Sequence, residues 1–241
     1  MMFFYRIYQI FIMLPILLVL TILAALITIT GCALGGGRWF GYYPAHYWAK
    51  CWCWLAFVRV SVRGRENIKI GRSYVFVANH QSAYDIFSIY GFLNHQFRWM
   101  MKKSLERIPL VGYACRVAGH IYVDKHSPAA VRQTMETAEK RLSGGMSVVV
   151  FPEGSRTKDG HIHGFRRGAY MLAMEFGLPV VPVTVDGAYD VLPPNALLMR
   201  PGRITLTIHK PLEAGEQGHD LQQLMEQSRQ AIISALPQKN R

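Results

Sequence analysis

The chain has 241 residues, of which 51% are hydrophobic and 17% are charged, and its formal net charge is +12. This length allows one large domain with a buried core, and the composition excludes a mainly disordered chain. Average soluble proteins carry about 25% charged residues, so we expect part of the apolar surface to face lipid. Six Lys and Arg residues precede the first acidic residue, Glu66. A basic, apolar front end favours an anionic membrane surface over nucleic acid as the partner.

Residues 10–34 form an apolar stretch without a charged side chain. A stretch of about 25 residues can cross a hydrocarbon core of about 30 Å, so we predict a transmembrane or deeply inserted helix with Pro15 near its start. A cleavable signal peptide is less favoured, because only Arg6 precedes the stretch. Residues 29–32 resemble a bacterial lipoprotein processing box, which is an alternative that would place the rest of the chain outside the cytoplasm.

Three consecutive glycines, residues 35–37, end this stretch, and an aromatic segment follows. Four of the five tryptophans lie in it, interspersed with Lys50 and Arg59. Aromatic rings beside cations are typical of the headgroup layer, so we predict an interfacial helix over residues 43–60. A core helix packed on the main domain is the alternative. Residues 1–62 are therefore predicted to be a membrane segment and residues 63–241 the main domain.

Beyond residue 63, short β-branched runs alternate with helical stretches. The patterns predict strands at residues 73–78, 97–101, 120–124, 147–151, 180–185 and 203–209. They predict helices at residues 84–93, 110–118, 128–142, 166–176 and 219–236. This alternation indicates an α/β fold with a largely parallel mixed sheet flanked by helices.

The four cysteines do not form a paired disulfide framework for a chain of this length. Cys51 and Cys53 lack the spacing of a zinc knuckle and a second pair downstream. His161 and His163 also lack a third ligand at a suitable spacing. We therefore predict no metal site.

His80 follows a predicted strand, and Asp85 lies five residues later near a predicted helix start. On one ideal helix the two would point about 140° apart, so they meet only if His80 lies on the turn entering the helix. In that arrangement Asp85 fixes the imidazole tautomer and leaves the other ring nitrogen as a base. The pair is two thirds of a serine-hydrolase triad, and a substrate hydroxyl can take the place of the serine. A capping aspartate beside a surface histidine would have the same spacing.

A second strand leads into a turn that holds an acid, a glycine and an arginine, namely Glu153, Gly154 and Arg156. Gly154 lets a ligand approach the backbone, and the planar guanidinium of Arg156 suits a phosphate group. A solvated basic face is the alternative for the arginines here.

Together with two further segments, these segments resemble the four motifs of the membrane glycerolipid acyltransferases, and in particular the lysophosphatidate (1-acylglycerol-3-phosphate) acyltransferase family. The sequence NHQSAYD at 79–85 resembles the Asn-His-x4-Asp motif, and FPEGSRT at 151–157 resembles the third motif. Residues 119–125 (GHIYVDK) and 178–183 (LPVVPV) resemble the second and fourth motifs. Lys125 stands where the family usually has Arg, and Ser155 replaces the commoner Thr.

The resemblance implies that residues 63–241 are an acyltransferase catalytic domain with a glycerolipid-acyltransferase-like fold. It implies transfer of an acyl group from acyl-CoA or acyl carrier protein to the sn-2 hydroxyl of lysophosphatidate, giving phosphatidate for phospholipid biosynthesis. His80 would act as the base and Asp85 would orient it. The substrate-binding residues implied are Glu153, Gly154, Ser155, Arg156, Lys102, Lys103 and Lys125.

We expect no cofactor besides the acyl donor, membrane lipids as partners, and no nucleic acid. The catalytic domain is expected on the cytoplasmic face of a membrane, a bacterial inner membrane, because activated acyl donors are supplied there. Two alternatives remain open. The first is a same-fold acyltransferase with another acceptor, such as glycerol 3-phosphate, another lysophospholipid or an aminolipid. The second is a non-catalytic membrane protein that binds anionic phospholipid.

Overall fold

The computed structural model describes residues 2–124, 127–142, 145–215 and 218–238. Within these ranges seven strands form one sheet in the order β1-β7-β6-β2-β5-β3-β4. The strands are β1 (Val58–Arg63), β2 (Val75–Ala78), β3 (Phe97–Lys102), β4 (Ile121–Val123), β5 (Ser147–Val150), β6 (Val180–Asp186) and β7 (Gly202–Ile208). All neighbours pair in parallel except β6 and β7. The predicted largely parallel mixed sheet is confirmed.

Helices flank the sheet, and the five predicted helices of the main domain begin and end within two residues of the predicted bounds, whereas the short helix Ala188–Val191 was not predicted. The amino-terminal helices are α1 (Met2–Tyr8), α2 (Leu14–Ala33), α3 (Gly37–Phe40) and α4 (Tyr43–Leu55). The remaining helices are α5 (Tyr84–Phe92), α6 (Val111–Val117), α7 (Pro128–Leu142), α8 (Gly168–Glu175), α9 (Ala188–Val191) and α10 (Leu221–Ser234).

Alternation along the central strands sends side chains into two separate apolar layers. Phe76 and Ala78 of β2 pack with residues of α4, α5 and α9, whereas Val75 and Val77 pack with residues of α8 and α10. Because successive strand residues point to opposite faces, a fully apolar strand is required to fill both layers. The result is a three-layer arrangement with helices on both faces of the sheet.

The first helix is longer than predicted, because α1 and α2 are joined through a π-helical turn (Gln9–Met13) into one helix, Met2–Ala33. It is long and apolar enough to cross a membrane by length and composition. Pro15 therefore lies inside the helix and not near its start. The wider turn that precedes it accommodates the missing amide.

One side of this long helix packs on the rest of the chain along its length. Its buried residues recur every three to eight positions and are Gln9, Met13, Leu17, Ala25, Thr28 and Gly31. Polar contacts support the packing, since Tyr8 Oη donates to Leu55 O at 3.0 Å and Trp48 Nε1 donates to Thr21 Oγ1 at 2.8 Å. The opposite side exposes large apolar residues, including Phe11 at 72% and Leu18 at 63%.

The predicted interfacial helix over residues 43–60 is too long. α4 ends at Leu55, and Val58–Arg63 forms the edge strand β1, which pairs in parallel with β7. The sequence VRVSVR alternates with the period of two that defines a strand, and its three valines face the sheet's apolar layer. The chain therefore enters the sheet five residues before the predicted start of the main domain.

Candidate active site

The predicted site residues follow strands that are neighbours in the sheet. His80 lies just beyond β2, Glu153 beyond β5 and Lys103 beyond β3. These three strands are adjacent and parallel, so their carboxyl ends meet at one edge of the sheet. Ligands in open α/β sheets bind at this edge. With strands about 4.8 Å apart, the site extends roughly 15 Å from β2 to β4.

His80 and Asp85 form a hydrogen-bonded pair, with 2.9 Å between His80 Nδ1 and Asp85 Oδ2. His80 lies on the turn that precedes α5, and Asp85 lies in the first turn of that helix. The Asp85 side chain is fully buried, whereas that of His80 is 13% exposed. His80 Nε2 makes no hydrogen bond to any described residue. One edge of the imidazole is therefore held by a carboxylate, and the other is available to a substrate.

Asp85 is fixed by the backbone of the same turn. Its Oδ2 also accepts hydrogen bonds from the backbone N–H groups of Gln81 at 2.6 Å and Ser82 at 2.8 Å. The Ser82 hydroxyl donates to Leu192 O at 2.7 Å and accepts from Tyr84 N at 3.1 Å. Ser82 thus supports the helix start, as its residue type at a helix entry indicates.

An aromatic ring covers one face of the imidazole. The Phe151 ring lies parallel to that of His80, with 3.9 Å between centroids and 8° between planes. Trp99 of β3 stacks behind Phe151 at 5.3 Å and 24°. Three neighbouring strands thus each contribute one ring to a stack that orients the base. Sequence reasoning missed this role of Phe151, although an aromatic residue directly after a buried strand and before Pro152 was a usable signal.

Glu153 joins the turn carrying His80 to the loop that follows β5. One carboxylate oxygen accepts from His80 N at 2.7 Å, and the other accepts from His163 N at 3.1 Å. Burial raises the pKa of Glu153 to about 6, and the two backbone hydrogen bonds oppose that rise. Both oxygens of Glu153 are therefore used within the protein.

Asn79 connects the site to the neighbouring strand β6. Its side-chain amide donates to Val185 O at 2.9 Å and accepts from Val185 N at 2.8 Å. Asn79 is fully buried. Its side chain takes the place of a backbone partner for Val185 at the point where β2 ends, and so extends the pairing of β2 with β6 by one residue. This role was not predicted, because it depends on which strand lies beside β2.

The turn after Glu153 leaves Gly154, Ser155 and Arg156 exposed. Gly154 has a φ of +81°, which a non-glycine residue rarely adopts. A Cβ at Gly154 would lie 3.0 Å from Cζ of Arg166, so this guanidinium rests against the Gly154 backbone. The three predicted residues are on the same edge of the sheet as His80.

Lys102 and Lys103 lie at the carboxyl end of β3, and both are exposed. Lys103 Nζ is 2.7 Å from Glu106 Oε2. A cavity of about 200 Å³ borders Lys103, and its lining also includes Arg116, His120 and Asp124. The predicted substrate residue Lys125 lies outside the described residues, directly after Asp124.

No group of three or more His, Cys, Asp or Glu side chains in the described ranges is placed to hold a metal ion. Cys51 and Cys53 lie on α4, where Cys53 is buried in the apolar layer.

Comparison with known proteins gives one family. The model of the Acyltransferase family matches residues 59–186, a range that includes His80, Asp85, Lys102, Lys103 and the loop between β5 and α8. A 1-acyl-sn-glycerol-3-phosphate acyltransferase of Chlamydomonas reinhardtii is 32% identical over 198 residues, covering 81% of this chain and 58% of that protein. The alpha form of the same enzyme from Bos taurus is 30% identical over 179 residues, covering 73% of this chain and 62% of that protein.

A solved structure is also similar, that of the 1-acyl-sn-glycerophosphate (LPA) acyltransferase PlsC from Thermotoga maritima. The TM-score is 0.72 at 28% sequence identity, and the match covers 90% of this chain and 93% of that one. Among the curated relatives the alignments span less, since this chain covers about half to three fifths of their length.

Proposed function

We propose that this chain, which belongs to the acyltransferase family, is a 1-acyl-sn-glycerol-3-phosphate O-acyltransferase. It transfers a fatty acyl group from acyl-CoA or acyl carrier protein to the sn-2 hydroxyl of lysophosphatidate, and the product is phosphatidate. The similarity to proteins that carry this name supports the acceptor, and the dyad supports the chemistry.

The observation that carries the proposal is the His80–Asp85 pair with Nε2 left unbonded at the ligand-binding edge of the sheet. His80 Nε2 takes the proton of the substrate hydroxyl while the hydroxyl oxygen bonds to the thioester carbonyl carbon. The C–S bond then breaks, and the proton passes from His80 to the departing thiolate. Asp85 holds the ring and stabilises the imidazolium that forms in between. The thioester is already activated, so the reaction uses no further cofactor.

The acceptor phosphate is held by cations that follow β5 and β3, the two strands that lie next to β2 on one side in the sheet. Arg156 supplies a planar guanidinium from the turn after β5, and Lys102 and Lys103 supply ammonium groups from the end of β3. Lys125 would add a further cation from the end of β4. Exposed Gly154 and Ser155 allow the glycerol backbone to lie close to the turn.

Glu153 acts on the substrate through His80 and not by direct contact. Each of its two oxygens accepts a backbone N–H group, one from His80 and one from His163, and its side chain is buried. We therefore assign it a positioning role, which replaces the substrate contact that the family resemblance implies.

The long amino-terminal helix inserts into one leaflet of the membrane without spanning it. Its buried side packs on α3 and α4 and also on α6 of the main domain, so with these contacts kept it could span the bilayer only if that polar domain entered the hydrocarbon. Its exposed side is almost entirely apolar. Lysophosphatidate stays in the leaflet, since burying each methylene contributes about 0.8 kcal/mol, and the enzyme meets it there. The catalytic domain lies on the cytoplasmic face.

The test is acyl transfer from oleoyl-CoA or palmitoyl-CoA to lysophosphatidate in vesicles or detergent micelles. We expect wild type to form phosphatidate and His80→Ala to lose at least about 10²–10⁴ in rate, because it lacks the base. His219→Ala is the matched control. It removes a histidine from the segment that meets the amino end of β6, at the opposite edge of the sheet, and is expected to keep wild-type activity.

Competing acceptors separate the remaining possibilities. Preferred transfer to glycerol 3-phosphate, lysophosphatidylcholine or an aminolipid would keep the reaction class and overturn the acceptor. Retained binding of anionic phospholipid without any transfer, in folded protein and with either donor type, would overturn the enzyme assignment.

A further inference from the structure

The loop between β5 and α8 carries cations that the proposed reaction does not use. Lys158, Arg166 and Arg167 are exposed, and none of them makes an ion pair with a described residue. The loop has two carboxylates: Glu153 accepts from the backbone N–H groups of His80 and His163, and Asp159 accepts from the backbone N–H of His161 at 3.1 Å and lies 3.2 Å from His163 Nε2. The loop therefore presents uncompensated positive charge beside the dyad.

This loop is built into the site by hydrogen bonds to the turn that carries His80. Thr157 N donates to His80 O at 3.0 Å, and Gln81 Nε2 donates to Gly160 O at 2.5 Å. Arg166 N donates to Pro152 O at 2.9 Å, and its guanidinium rests against Gly154. The positions of these cations are thus tied to the position of the base, unlike those of a solvated basic face.

The loop leads to the face of the sheet opposite the amino-terminal helices, because Arg166 and Arg167 directly precede α8, which packs in the second apolar layer with Val75 and Val77. Ile162 packs against Ile232 of α10, and Tyr189, just beyond β6, donates to Lys158 O at 3.0 Å. In the sheet, β6 lies on one side of the pair β2-β5, and β3 and β4 lie on the other.

The apolar surface is continuous with the β3 side. Ile108 and Tyr113, in and just before α6, are 44% and 47% exposed, and α6 packs against α2. An acceptor with its acyl chain in the leaflet reaches His80 from there, close to Lys102 and Lys103. The cations of the β5–α8 loop are left for a second anionic substrate that comes from water.

Resting on the proposed function, we infer that Lys158, Arg166 and Arg167 bind the phosphate groups of the acyl donor's carrier, apart from the acceptor phosphate site. The donor thioester is carried on pantetheine joined to phosphate in both coenzyme A and acyl carrier protein. Its phosphates meet three cations on the water side of His80 while its acyl chain points across the dyad. Two phosphorylated substrates thus reach one base from opposite sides.

The experiment compares Arg166→Gln/Arg167→Gln with wild type, varying oleoyl-CoA and lysophosphatidate separately. We expect kcat/KM for oleoyl-CoA to fall about tenfold or more, because charge-assisted hydrogen bonds to phosphate are lost. The KM for lysophosphatidate and the kcat at saturating donor are expected to stay within about twofold. Oleoyl-pantetheine, which has no phosphate, should be used equally by both proteins.

Two further variants keep the result interpretable. Lys158→Gln/Arg167→Gln leaves Arg166 on Gly154, so its donor-selective loss cannot come from a disturbed turn. Arg59→Gln/Arg203→Gln removes two exposed arginines that lie opposite each other on β1 and β7, away from the site. This control has the same net charge as the test variant and is expected to use both substrates as wild type does.

Each outcome has a distinct meaning. An unchanged donor dependence in active variants, or a rise in the KM for lysophosphatidate alone, would overturn this inference and leave the proposed function intact. An equal loss with oleoyl-pantetheine would also overturn it, because no phosphate is then involved. A wild-type protein that transfers to no acceptor would overturn the proposed function itself. Oleoyl-acyl carrier protein as a parallel donor shows which phosphorylated carrier depends more on the three cations.

Discussion

His80 has one polar atom left for chemistry, because its other hydrogen-bonding groups are already engaged. Its backbone N–H donates to Glu153, its carbonyl accepts from Thr157 N, and its Nδ1 is paired with Asp85. Such complete use of a residue's hydrogen-bonding groups holds Nε2 in one direction. The geometry therefore supports a base that is already oriented before substrate binds.

Phe151→Leu tests the contribution of the ring stacked on His80. Leu keeps apolar bulk but has no flat face to hold the imidazole plane or to stabilise a developing imidazolium, an interaction of about 1 kcal/mol. We expect kcat to fall about fivefold with the KM of both substrates unchanged, and Phe151→Tyr to restore most of the loss. Steady-state acyl-transfer kinetics measure both effects.

The control for this variant is Phe87→Leu. Phe87 stacks on Trp52 at 4.6 Å and 8°, a similarly parallel pair that lies outside the dyad's contacts. It should lower the unfolding free energy without the fall in kcat. Equal kcat values for Phe151→Leu and wild type would refute a role for the stack.

At the scale of elements, the amino-terminal helix has two sides with different partners. The buried side is mainly apolar, and its polar Gln9 is paired: Gln9 Nε2 donates to Met199 O at 3.0 Å while Arg6 donates to Gln9 Oε1 at 2.6 Å. The exposed side of the helix presents many large apolar residues in one continuous patch, whereas a soluble protein usually exposes such residues singly. Lipid is the surrounding that suits it.

Phe11→Lys/Leu18→Lys is expected to weaken binding to anionic vesicles at least about tenfold, because two charges would enter the acyl region. Vesicle co-sedimentation at physiological salt measures the effect. Met171→Lys is the control, since Met171 is a partly exposed residue of α8 on the other face of the sheet. Wild-type binding by the double variant would show that this helix side does not contact lipid.

If the helix spans the bilayer, its amino end and the catalytic domain lie on opposite sides of the membrane; if it does not, they lie on the same side. We expect an amino-terminal tag on protein in sealed vesicles to be cleaved by external protease when the catalytic domain also faces outward. Protection of the tag in such vesicles would contradict insertion into a single leaflet and would require α1 and α2 to separate from the main domain.

At the scale of the whole molecule, the titration of the buried Glu153 makes the unfolding free energy depend on pH. Its pKa is about 6 in the folded chain because of burial, above the usual value of 4.5. Between these two pH values the folded state holds the proton more tightly, so the unfolding free energy falls as pH rises from about 4.5 to about 6. A difference of about 1.5 pKa units corresponds to about 2 kcal/mol.

Glu153→Gln removes this titration. Relative to wild type, its change in unfolding free energy between pH 4.5 and 6.5 should be smaller by about 2 kcal/mol, as measured by denaturant unfolding at both values. Activity should fall as well, since an amide has one acceptor oxygen for two backbone N–H groups. Glu175→Gln, which removes an exposed carboxylate of α8, is the control. An identical pH dependence in Glu153→Gln and wild type would show that Glu153 is not the group responsible.

Much of this architecture could be predicted from local pattern. Apolar runs such as the one in β5 mark buried strands, and the stops at Gly177 and the Ser127–Pro128 start mark helix ends, because each depends only on nearby residues. The strand β1 was missed because its alternation followed an aromatic helix without a break. The length of the first helix was underestimated because the π-helical turn that admits Pro15 has no sequence signal.

The sequence by itself determined the set of chemical groups and their order. These are an apolar amino end, a strand followed by His80, an aspartate five residues further, and a turn with an arginine after a later buried strand. Those inferences rest on periodicity and spacing, which are local properties. The tertiary structure alone decided that β5 and β6 flank β2, and hence that Phe151 covers His80, Glu153 joins two segments 73 positions apart, and Asn79 pairs with Val185. It also brought Lys102, Lys103 and the turn with Arg156 to the same edge of the sheet as His80, because strand order, and not sequence order, sets which residues become neighbours.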